Sequence, residues 1–415
     1  MTRRSRSTAQ GARPRPPAAE FRTGLSSRVR SDTDAGAFPG DVLLTAEDCE
    51  GFLRDEVRRL WPGMPVQFLA PRLLSCPATS LSGAAPATPA GSGLPPLVFA
   101  RQFLPAAQSV SVDSIRAGAE AVFAAITASL PDRQPWLLHV AAHYGAANAG
   151  EHRCRLIRES LLDRLQRQRR GLRRALAPDT APLTTAHSVV QLLLLAPDRG
   201  LLSVAVAPRP FQWRRVLTPF PKGWVPPARD LAAPCRAFAK LVEAEARLGR
   251  RIAAGETCVD LGACPGSWSY VALGRGARVC AVDRSPLRAD LMAHPRLHFV
   301  RGDAFRFVPD APVDWLLCDV IAAPERSMEL LQTWVVRRWA RHFVVTLKFK
   351  GAGGYAELDG LKRALPPLTS ELFLLHLCAN RNEVCAFGSV APPPGDDGAP
   401  ATPAPPVSAS SSARG

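Results

Sequence analysis

Residues 257–273 read TCVDLGACPGSWSYVAL, and this stretch decides the fold. An apolar run ends at Asp260, a glycine turn follows and helical spacing comes next, so the pattern predicts a strand, a loop and a helix. Gly262 and Gly266 let a ligand approach the backbone closely. The loop has the form DLGxxPG and not GxGxxG, and Pro265 lacks an amide hydrogen, so a pyrophosphate cradle is disfavoured. A ligand without phosphates fits the loop better.

Two more acidic residues follow predicted strands downstream of this loop. Asp283 ends ARVCAVD, and Asp303 follows LHFV in RGDAF. A carboxylate at the end of a parallel strand can accept both hydroxyls of a ribose, and Asp303 is placed to accept an adenine amine. These strand ends predict S-adenosylmethionine bound across the carboxyl edge of a parallel sheet, although ordinary Gly and Asp turns are the alternative. The cofactor-binding candidates are Asp260, Gly262, Ala263, Pro265, Gly266, Ser267, Trp268, Asp283, Asp303 and Asp319.

Composition limits the class of protein. The chain has 415 residues, of which 47% are hydrophobic, so we expect two or three domains with real cores. No apolar run approaches the roughly 20 residues of a membrane span, and we expect a cytoplasmic monomer. The ten cysteines include no CxxC pair, and His139 and His143 lie in a strand-like segment, so neither a metal site nor a disulfide framework is predicted.

Basic residues are concentrated in two segments of a chain whose formal charge is +16. Residues 1–38 carry eight arginines against three acidic residues, and residues 151–174 carry nine against three. This asymmetry predicts a polyanionic partner, most simply nucleic acid, although a solvated arginine-rich surface is the alternative. In the second segment Arg167, Arg170 and Arg174 recur at helical spacing, which predicts one RNA-binding stripe on a helix.

Composition and periodicity also predict the domain organisation. Residues 1–38 lack the apolar region of a secretory signal and predict a disordered basic tail. Residues 391–415 predict a disordered tail rich in Pro, Ala and Ser. Residues 39–104 predict a small α+β domain with a disordered loop near residues 77–96.

The rest of the chain predicts two further domains. Residues 105–220 mix helices and strands without the βαβ order of a doubly wound sheet, so we expect a separate domain there. In residues 221–390 strands alternate with helices, which predicts an α/β domain with a mostly parallel sheet. A hairpin at the end of this domain adds one antiparallel strand.

Lysine is used sparingly, since only five of the 52 basic residues are Lys. Arginine stays protonated near neutral pH, whereas lysine can lose its proton, so a retained lysine is a candidate base. Lys240 precedes the first strand of the α/β domain and Lys348 ends its fifth strand. Asp319 ends the fourth strand, and Glu383 opens the last. We expect these four side chains to meet at the carboxyl edge, where ligands bind in such sheets.

A cluster of this kind predicts acid–base chemistry. Two nearby lysines raise the cost of charging both, which depresses the pKa of at least one and makes a neutral amine available as a general base. Such an amine can take the proton of a ribose hydroxyl as that hydroxyl attacks a methyl sulfonium. Asp319 and Glu383 would hold the lysines and offset their charge. The alternative is a set of strand-end salt bridges on a solvated rim.

These motifs resemble a known family. Lys240, Asp319, Lys348 and Glu383 follow the order of the K-D-K-E tetrad of FtsJ-type ribose 2′-O-methyltransferases, and DLGACPGSWSY matches their adenosylmethionine loop. With APCRAFAKLVEA, DWLLCDVIAAPER, TLKF and NRNEV, they resemble the bacterial large-subunit ribosomal RNA cytidine 2′-O-methyltransferases of the M type over residues 234–390. The resemblance implies a Rossmann-like S-adenosylmethionine-dependent methyltransferase domain, preceded by ferredoxin-like and THUMP-type RNA-binding domains. It also implies ribosomal RNA or its precursor particle as partner.

The chain departs from the family pattern at three places. Cys235 stands where the family usually has Ser, and Ser267 stands where it has Gly. Lys348 is followed by FKGAGG in place of a longer basic loop, which bears on the identity of the target nucleotide. Lys350 is a second candidate for the base, because alternation along a strand puts it on the same side as Lys348.

Two other classes of function stay open at this point. The first is an RNA-binding or assembly protein that keeps the fold without turnover, against which the intact tetrad argues. The second is a methyltransferase for mRNA caps, proteins or small molecules, and the separate N-terminal half argues against a small substrate. Transfer of a labelled methyl group to RNA would discriminate between these classes.

Overall fold

The structure is a computed structural model of the chain. It describes residues 40–78, 81, 96–145, 148–179, 181–226, 228–349 and 354–392. The predicted tail at residues 1–38, the part of the predicted C-terminal tail beyond residue 392, most of the predicted loop near residues 77–96, and Lys350 lie outside the described residues.

The described residues form fourteen strands and nine α-helices. In chain order these are β1 (Gly40–Thr45), α1 (Glu50–Leu60), β2 (Gln67–Ala70), β3 (Leu73–Pro77), β4 (Ala100–Ser111), α2 (Ile115–Ser129), β5 (Trp136–Ala142), α3 (Glu151–Gln168), α4 (Arg170–Ala175), β6 (Ser188–Ala196), β7 (Arg199–Ala205), α5 (Phe238–Leu248), β8 (Thr257–Leu261), α6 (Ser267–Gly274), β9 (Arg278–Asp283), α7 (Ala289–Met292), β10 (Leu297–Arg301), β11 (Val313–Cys318), α8 (Pro324–Val336), β12 (Ala340–Lys348), α9 (Leu358–Ala364), β13 (Thr369–Leu375) and β14 (Glu383–Val390). Short 3₁₀ helices cover Phe211–Arg215, Pro221–Gly223, Tyr355–Glu357 and Pro366–Leu368.

The N-terminal half contains one seven-stranded sheet, in the order β2-β3-β1-β4-β7-β6-β5. Its central strand β4 pairs with β1 over residues 100–107 and with β7 over residues 108–111. The boundary expected after residue 104 therefore falls inside one strand, and both halves of the region share a sheet. The assignment of this region to ferredoxin-like and THUMP-type domains stays a prediction.

The order of elements in residues 105–220 differs from the expectation in one respect. Strands β5 and β6 pair in parallel, with α3 and α4 between them, so this region does contain one βαβ unit. The arginine-rich segment is also not one helix. Its backbone breaks at Arg169, with φ −140° and ψ 63°, and Trp136 Nε1 donates to Leu172 O at 2.8 Å in the buried interior. This contact holds α4 against β5 and fixes the break.

The C-terminal half contains the second seven-stranded sheet, in the order β10-β9-β8-β11-β12-β14-β13. Strands β10, β9, β8, β11 and β12 pair in parallel, and β14 joins β12 antiparallel with β13 outside it. Helices α5 and α6 pack on one face, and α8 and α9 on the other. The predicted Rossmann-like α/β arrangement with a C-terminal hairpin is therefore confirmed.

The two halves of the chain share a hydrophobic core. Leu53 and Val57 of α1 lie in the same buried cluster as Leu330 of α8 and Leu361 of α9. The sheet is covered on both faces, which explains the apolar runs WLLC within β11 and FVV within β12. Among the described helices, none combines the length and the apolar character needed to cross a membrane.

Candidate active site

Four charged side chains meet at the carboxyl ends of β11 and β12. Lys240, in α5, donates from Nζ to both carboxylate oxygens of Asp319 at 3.1 Å and forms a second ion pair with Glu383. Lys348 Nζ lies 3.1 Å from Asp319 Oδ1. The structure thus brings together the four residues that the sequence singled out, and we call them the tetrad.

Strand pairing sets the place of Lys348 within the tetrad. It is the last residue of β12, and it lies opposite Glu383 in the antiparallel pairing with β14. Its Nζ also donates to the backbone oxygen of Asp319 at 2.9 Å. The Lys348 side chain is 22% exposed, against 9% for Lys240. Lys348 is therefore the more accessible of the two amines.

The charges around Lys240 favour its protonated form. Burial acts to lower the pKa of this amine, but Asp319, then Cys385 and Glu383, outweigh burial and raise the pKa above its ordinary value. An amine has to be neutral before it can accept a proton. Lys240 is therefore not the lysine whose pKa was expected to be depressed, and its surroundings suit positioning and charge compensation.

A cavity of about 460 Å³ opens beside the tetrad. Eight of the ten cofactor-binding candidates line it, namely Asp260, Gly262, Ala263, Pro265, Ser267, Trp268, Asp283 and Asp319. Lys240 and Lys348 line the same cavity, so a ligand held there would contact the tetrad. At Gly262 the backbone has φ +72°, and a Cβ would lie 2.9 Å from the Cα of Val320. The loop after β8 can pass this close to the loop after β11 only with glycine.

Gly266, unlike most of the cofactor-binding candidates, does not line the first cavity. It precedes α6 with φ +109°, and a Cβ there would meet Leu287 and Leu291. It is absent from the lining of both cavities found in this part of the sheet. Gly266 therefore shapes the turn into α6 and does not face the ligand space.

A second cavity, of about 270 Å³, adjoins the first at Gly262, Asp283, Val320 and Ile321. Asp303 lines it and accepts the N–H of Phe305 at 3.0 Å, which with Arg284 lowers the pKa of the Asp303 carboxyl. Its other oxygen lies 3.1 Å from Arg284 Nη2. Arg326 stacks over the Phe305 ring, 4.0 Å from its centre. The structure thus places an acid and an aromatic ring together where an adenine was expected.

Asp283 lies between the two cavities and lines both. Its Oδ2 accepts the N–H of Cys264 at 3.0 Å, and its Oδ1 accepts the N–H of Ser285 at 2.9 Å. Each carboxylate oxygen has a second lone pair. The carboxylate is therefore oriented by backbone and can still accept two hydroxyl groups.

The side chain of Asp260 has a structural role, because it accepts hydrogen bonds within the fold. It is buried, and its Oδ2 accepts the N–H of Ser269 at 2.9 Å and the hydroxyl of Ser269 at 2.7 Å. Burial raises the pKa of this carboxyl to about 7, against the lowering effect of Ser269. Asp260 therefore ties β8 to the start of α6 while it also lines the first cavity.

Ser267 and Trp268 hold the segment that precedes α5. The Ser267 hydroxyl oxygen accepts the N–H of Cys235 at 2.9 Å, and it lies 2.9 Å from the Cys235 sulfur. Trp268 Nε1 donates to Ala237 O at 2.8 Å. Two of the departures from the family pattern, Cys235 and Ser267, are therefore in contact with each other at the edge of the cavity.

Several residues of the site were not found from the sequence. Cys235, Phe305, Val320, Ile321 and Arg326 line the two cavities. Ile321 is 89% exposed although it is a large apolar side chain. Four of them lie in loops near the carboxyl edge of the sheet, where single residues carry no periodicity, and Arg326 lies in the first turn of α8.

The predicted RNA-binding arginines lie apart from these cavities in the chain. Arg167 is at the end of α3, and Arg170 and Arg174 belong to α4. All three are exposed. The single helical stripe is wrong as a geometry because of the break at Arg169, while the RNA contact itself stays a prediction.

Comparisons with known proteins agree with the sequence motifs. The family model described as FtsJ-like methyltransferase matches residues 233–346. A ribosomal RNA large subunit methyltransferase M from Halorhodospira halophila is 34% identical over 269 residues, which are 63% of this chain and 71% of that protein.

Two other proteins of the same name are similar over shorter stretches. The one from Stutzerimonas stutzeri is 42% identical over 135 residues, and the one from Laribacter hongkongensis is 38% identical over 169 residues. The matched stretches span 39% and 46% of these two relatives, less than half the length of either. The resemblance to the FtsJ-type and M-type proteins is confirmed.

Proposed function

The chain belongs to the family of ribosomal RNA large subunit methyltransferase M proteins, and on that premise we propose that it methylates a ribose 2′-hydroxyl of RNA. The proposed substrate is a cytidine of large-subunit ribosomal RNA, as free RNA or within a precursor particle. The proposed methyl donor is S-adenosylmethionine. We further propose that the protein acts as a monomer in the cytoplasm.

One observation carries this proposal. Lys240, Asp319, Lys348 and Glu383 form a continuous set of ion pairs and hydrogen bonds, and both lysines line a cavity that also contains Asp283. A proton acceptor and a ribose-binding carboxylate on the walls of one cavity suit a reaction at a hydroxyl beside a bound nucleoside.

The residues present fit S-adenosylmethionine. The first cavity, of about 460 Å³, lies within the range of roughly 300–1,000 Å³ that small-molecule ligands occupy, and the adjoining second cavity has about 270 Å³. Their lining combines four carboxylates with four cationic side chains, which suits a ligand that carries charges of both signs, as the sulfonium, ammonium and carboxylate groups of this cofactor do. The acids are Asp260, Asp283, Asp303 and Asp319, and the cations are Lys240, Lys348, Arg284 and Arg326. When bound, this cofactor supplies an electrophilic methyl group. Within the described ranges, no group of His, Cys, Asp and Glu side chains is placed to hold a metal ion.

Lys348 is the proposed general base. In its neutral form, Nζ accepts the proton of the 2′-hydroxyl, which makes that oxygen a better nucleophile. Asp319 holds this amine through Oδ1 and its backbone oxygen, so the lone pair is directed by two fixed contacts. The side chain's exposure of 22% leaves room for a ribose to approach.

Lys240 and Glu383 take the supporting roles. Lys240 stays protonated beside Asp319 and Glu383, which raise its pKa, so it neutralises part of the acidic charge. Glu383, opposite Lys348 in the strand pairing, holds Lys240 in place.

The N-terminal half is the proposed RNA-binding part of the chain. The segment of residues 151–174 carries nine arginines against three acidic residues, and Arg167, Arg170 and Arg174 are exposed there. Cationic side chains of this kind bind phosphate groups without reading the sequence. The ferredoxin-like and THUMP-type assignment belongs to the same proposal.

The proposal is tested by mapping 2′-O-methyl groups in ribosomal RNA from cells with and without the gene. We expect one cytidine of the large subunit to lose its methyl group when the gene is absent, and to regain it when the gene is restored. Unchanged maps would favour the non-catalytic assembly protein. Loss of a methyl group from a cap, a protein or a small molecule would favour the other rival class.

A further inference from the structure

Four aromatic rings connect the N-terminal half to the residue that follows Lys348. The ring of Phe349 lies 4.6 Å from that of Tyr355, measured between centres. Tyr355 lies 5.0 Å from Phe52 of α1 and 4.9 Å from Phe99, just before β4. Phe52 and Phe99 are themselves 5.2 Å apart. We call Phe52, Phe99, Tyr355 and Phe349 the aromatic bridge.

A buried ion pair fixes the same contact between the halves. Lys362 of α9 pairs with Glu56 of α1, and their side chains are 4% and 2% exposed. Glu56 also accepts the backbone N–H groups of Val98 at 2.9 Å and Phe99 at 3.3 Å. Separating a buried pair leaves a charge without its partner, which is strongly unfavourable. Helix α1 is therefore held firmly on α9, with Phe99 attached to the same carboxylate.

One ring of the aromatic bridge, that of Phe349, belongs to the residue that directly follows β12. The N–H of Phe349 donates to Asn382 O at 2.9 Å, which continues the pairing in which Lys348 lies opposite Glu383. Phe349 is only 6% exposed. A Cβ built on Gly354 would lie 3.5 Å from the Phe349 ring, so the chain returns to this ring just before Tyr355. The packing of Phe349 thus fixes the backbone beside Lys348.

We propose that the aromatic bridge positions Lys348 for catalysis, so that the N-terminal half contributes to turnover and not only to RNA binding. This inference rests on the proposed function, in which Lys348 is the base. Phe52 and Phe99 belong to the half that carries the proposed RNA contacts, and Phe349 adjoins the base. A displacement of a reacting group by about 1 Å can cost on the order of 100-fold in rate. Loss of a ring from the bridge should therefore slow the chemical step.

The test uses Tyr355→Leu and Phe52→Leu in the full-length chain. We expect each to lower the single-turnover rate at saturating S-adenosylmethionine and RNA by at least about tenfold. The dissociation constants for both ligands should stay at their wild-type values, because neither ring lines the cavities. Tyr355→Phe keeps the ring and should restore the wild-type rate.

A matched control separates positioning from stability. Trp339→Leu removes another ring of the same hydrophobic core, 5.5 Å from Trp334 and at the opposite end of β12. It should lower the thermal unfolding midpoint as the bridge variants do, while its rate per folded molecule stays unchanged. Bridge variants that are destabilised but turn over at the wild-type rate would overturn the inference. Phe52 and Tyr355 are both partly buried, so either variant provides the test if the other does not fold.

Failure of this inference is distinguishable from failure of the proposed function. A wild-type chain that transfers no methyl group to ribose would contradict the proposed function itself. A wild-type chain that is active, and is inactivated by Lys348→Arg but not by the bridge variants, would contradict only the positioning role of the aromatic bridge.

Discussion

At the scale of single residues, the two lysines differ in how they contact Asp319. Its carboxylate binds Lys240 through both oxygens, whereas Lys348 contacts one of these oxygens and the backbone oxygen. The more buried Lys240 also pairs with Glu383. These contacts favour a positive charge on Lys240 and leave Lys348 as the more exposed amine, as the proposed role of Lys348 as the base requires.

Replacement of Lys348 tests this division. Lys348→Arg keeps the positive charge, but arginine stays protonated at working pH and cannot accept a proton. Loss of a positioned base costs about 10²- to 10⁴-fold, so Lys348→Arg and Lys348→Ala should be comparably slow in single-turnover assays. Both should still bind S-adenosylmethionine and RNA.

Lys240→Arg is the matched control for Lys348→Arg. It keeps the charge that Lys240 supplies to Asp319 and Glu383, so it should lose less activity. An Lys348→Arg enzyme with more than about a tenth of the wild-type rate lies outside the range for a lost base and would rule out this role. Lys350 would then be the next residue to replace.

Asp283 should contribute to cofactor affinity and not to the chemical step. Hydrogen bonds to a charged group contribute about 1.5–3 kcal/mol, so Asp283→Ala should weaken S-adenosylmethionine binding by roughly 10- to 150-fold. The rate at saturating cofactor should largely survive. Calorimetric titration measures this, with Asp310→Ala as a control for an exposed acid of the same half. Equal affinities of Asp283→Ala and wild type would refute the assignment.

Asp260 makes stability depend on pH in a defined direction. Its pKa of about 7 in the fold is above the ordinary value of 3.8 because the carboxyl is buried. Its contribution to stability is therefore complete below about pH 4 and is lost as the pH rises through about 7. The amide side chain of Asp260→Asn stays neutral at every pH. The urea unfolding midpoint of this variant should therefore rise relative to that of the wild type between pH 5 and pH 8. A constant difference between the two midpoints would contradict the raised pKa.

Sequence reasoning reached the tetrad because its residues are marked by chemistry and by strand ends. Lys240 and Lys348 stand out in a chain that otherwise uses Arg, and Asp319 follows an apolar strand. The cavity residues Ile321 and Phe305 could not be found in this way. Their contribution depends on where two loops meet in space, and neither loop has a repeating pattern.

At the scale of elements, the alternation of strands and helices predicted the second sheet well. Each of β8 to β12 contains a short apolar stretch, and the connections between them suit parallel neighbours. The break between α3 and α4 was missed because the sequence QRQRRGLRR lacks proline, and a tertiary contact from Trp136 to Leu172 O fixes it. The pairing of β4 with both β1 and β7 was missed, because hydrophobic periodicity describes a single strand and does not identify the strands that pair with it.

The arginines of α3 and α4 give a prediction at this scale. Replacement of Arg167, Arg170 and Arg174 by Gln should weaken RNA binding and reduce the slope of log affinity against log salt by about 2, because each phosphate contact contributes about 0.7–0.9. Binding should be measured at several salt concentrations.

A control with the same change in charge belongs to that experiment. Arg278, Arg337 and Arg341 are exposed near the amino ends of β9 and β12, away from both cavities. Their replacement by Gln should leave the salt slope close to that of the wild type. If both triple variants behave alike, α3 and α4 form only a solvated surface.

At the scale of the whole molecule, two seven-stranded sheets are joined by one hydrophobic core. The joint includes the buried pair of Glu56 and Lys362, whose partners are 306 residues apart in the chain. Such a long-range contact leaves no local pattern. The sequence therefore predicted the C-terminal α/β half, but it divided the N-terminal half into two domains and did not predict the joint between the halves. The joint places the proposed RNA-binding half against the strand that carries Lys348.

The central claim is that the methyl group is placed on a ribose 2′-hydroxyl. Its most direct test incubates the full chain with methyl-labelled S-adenosylmethionine and large-subunit ribosomal RNA from cells that lack the gene, followed by alkaline hydrolysis. A 2′-O-methyl group blocks cleavage of the adjacent phosphodiester, so the account predicts label in an alkali-resistant dinucleotide that begins with cytidine, and none with Lys348→Ala. Label in mononucleotides, which indicates methylation of a base, or no transfer of label at all, would contradict it.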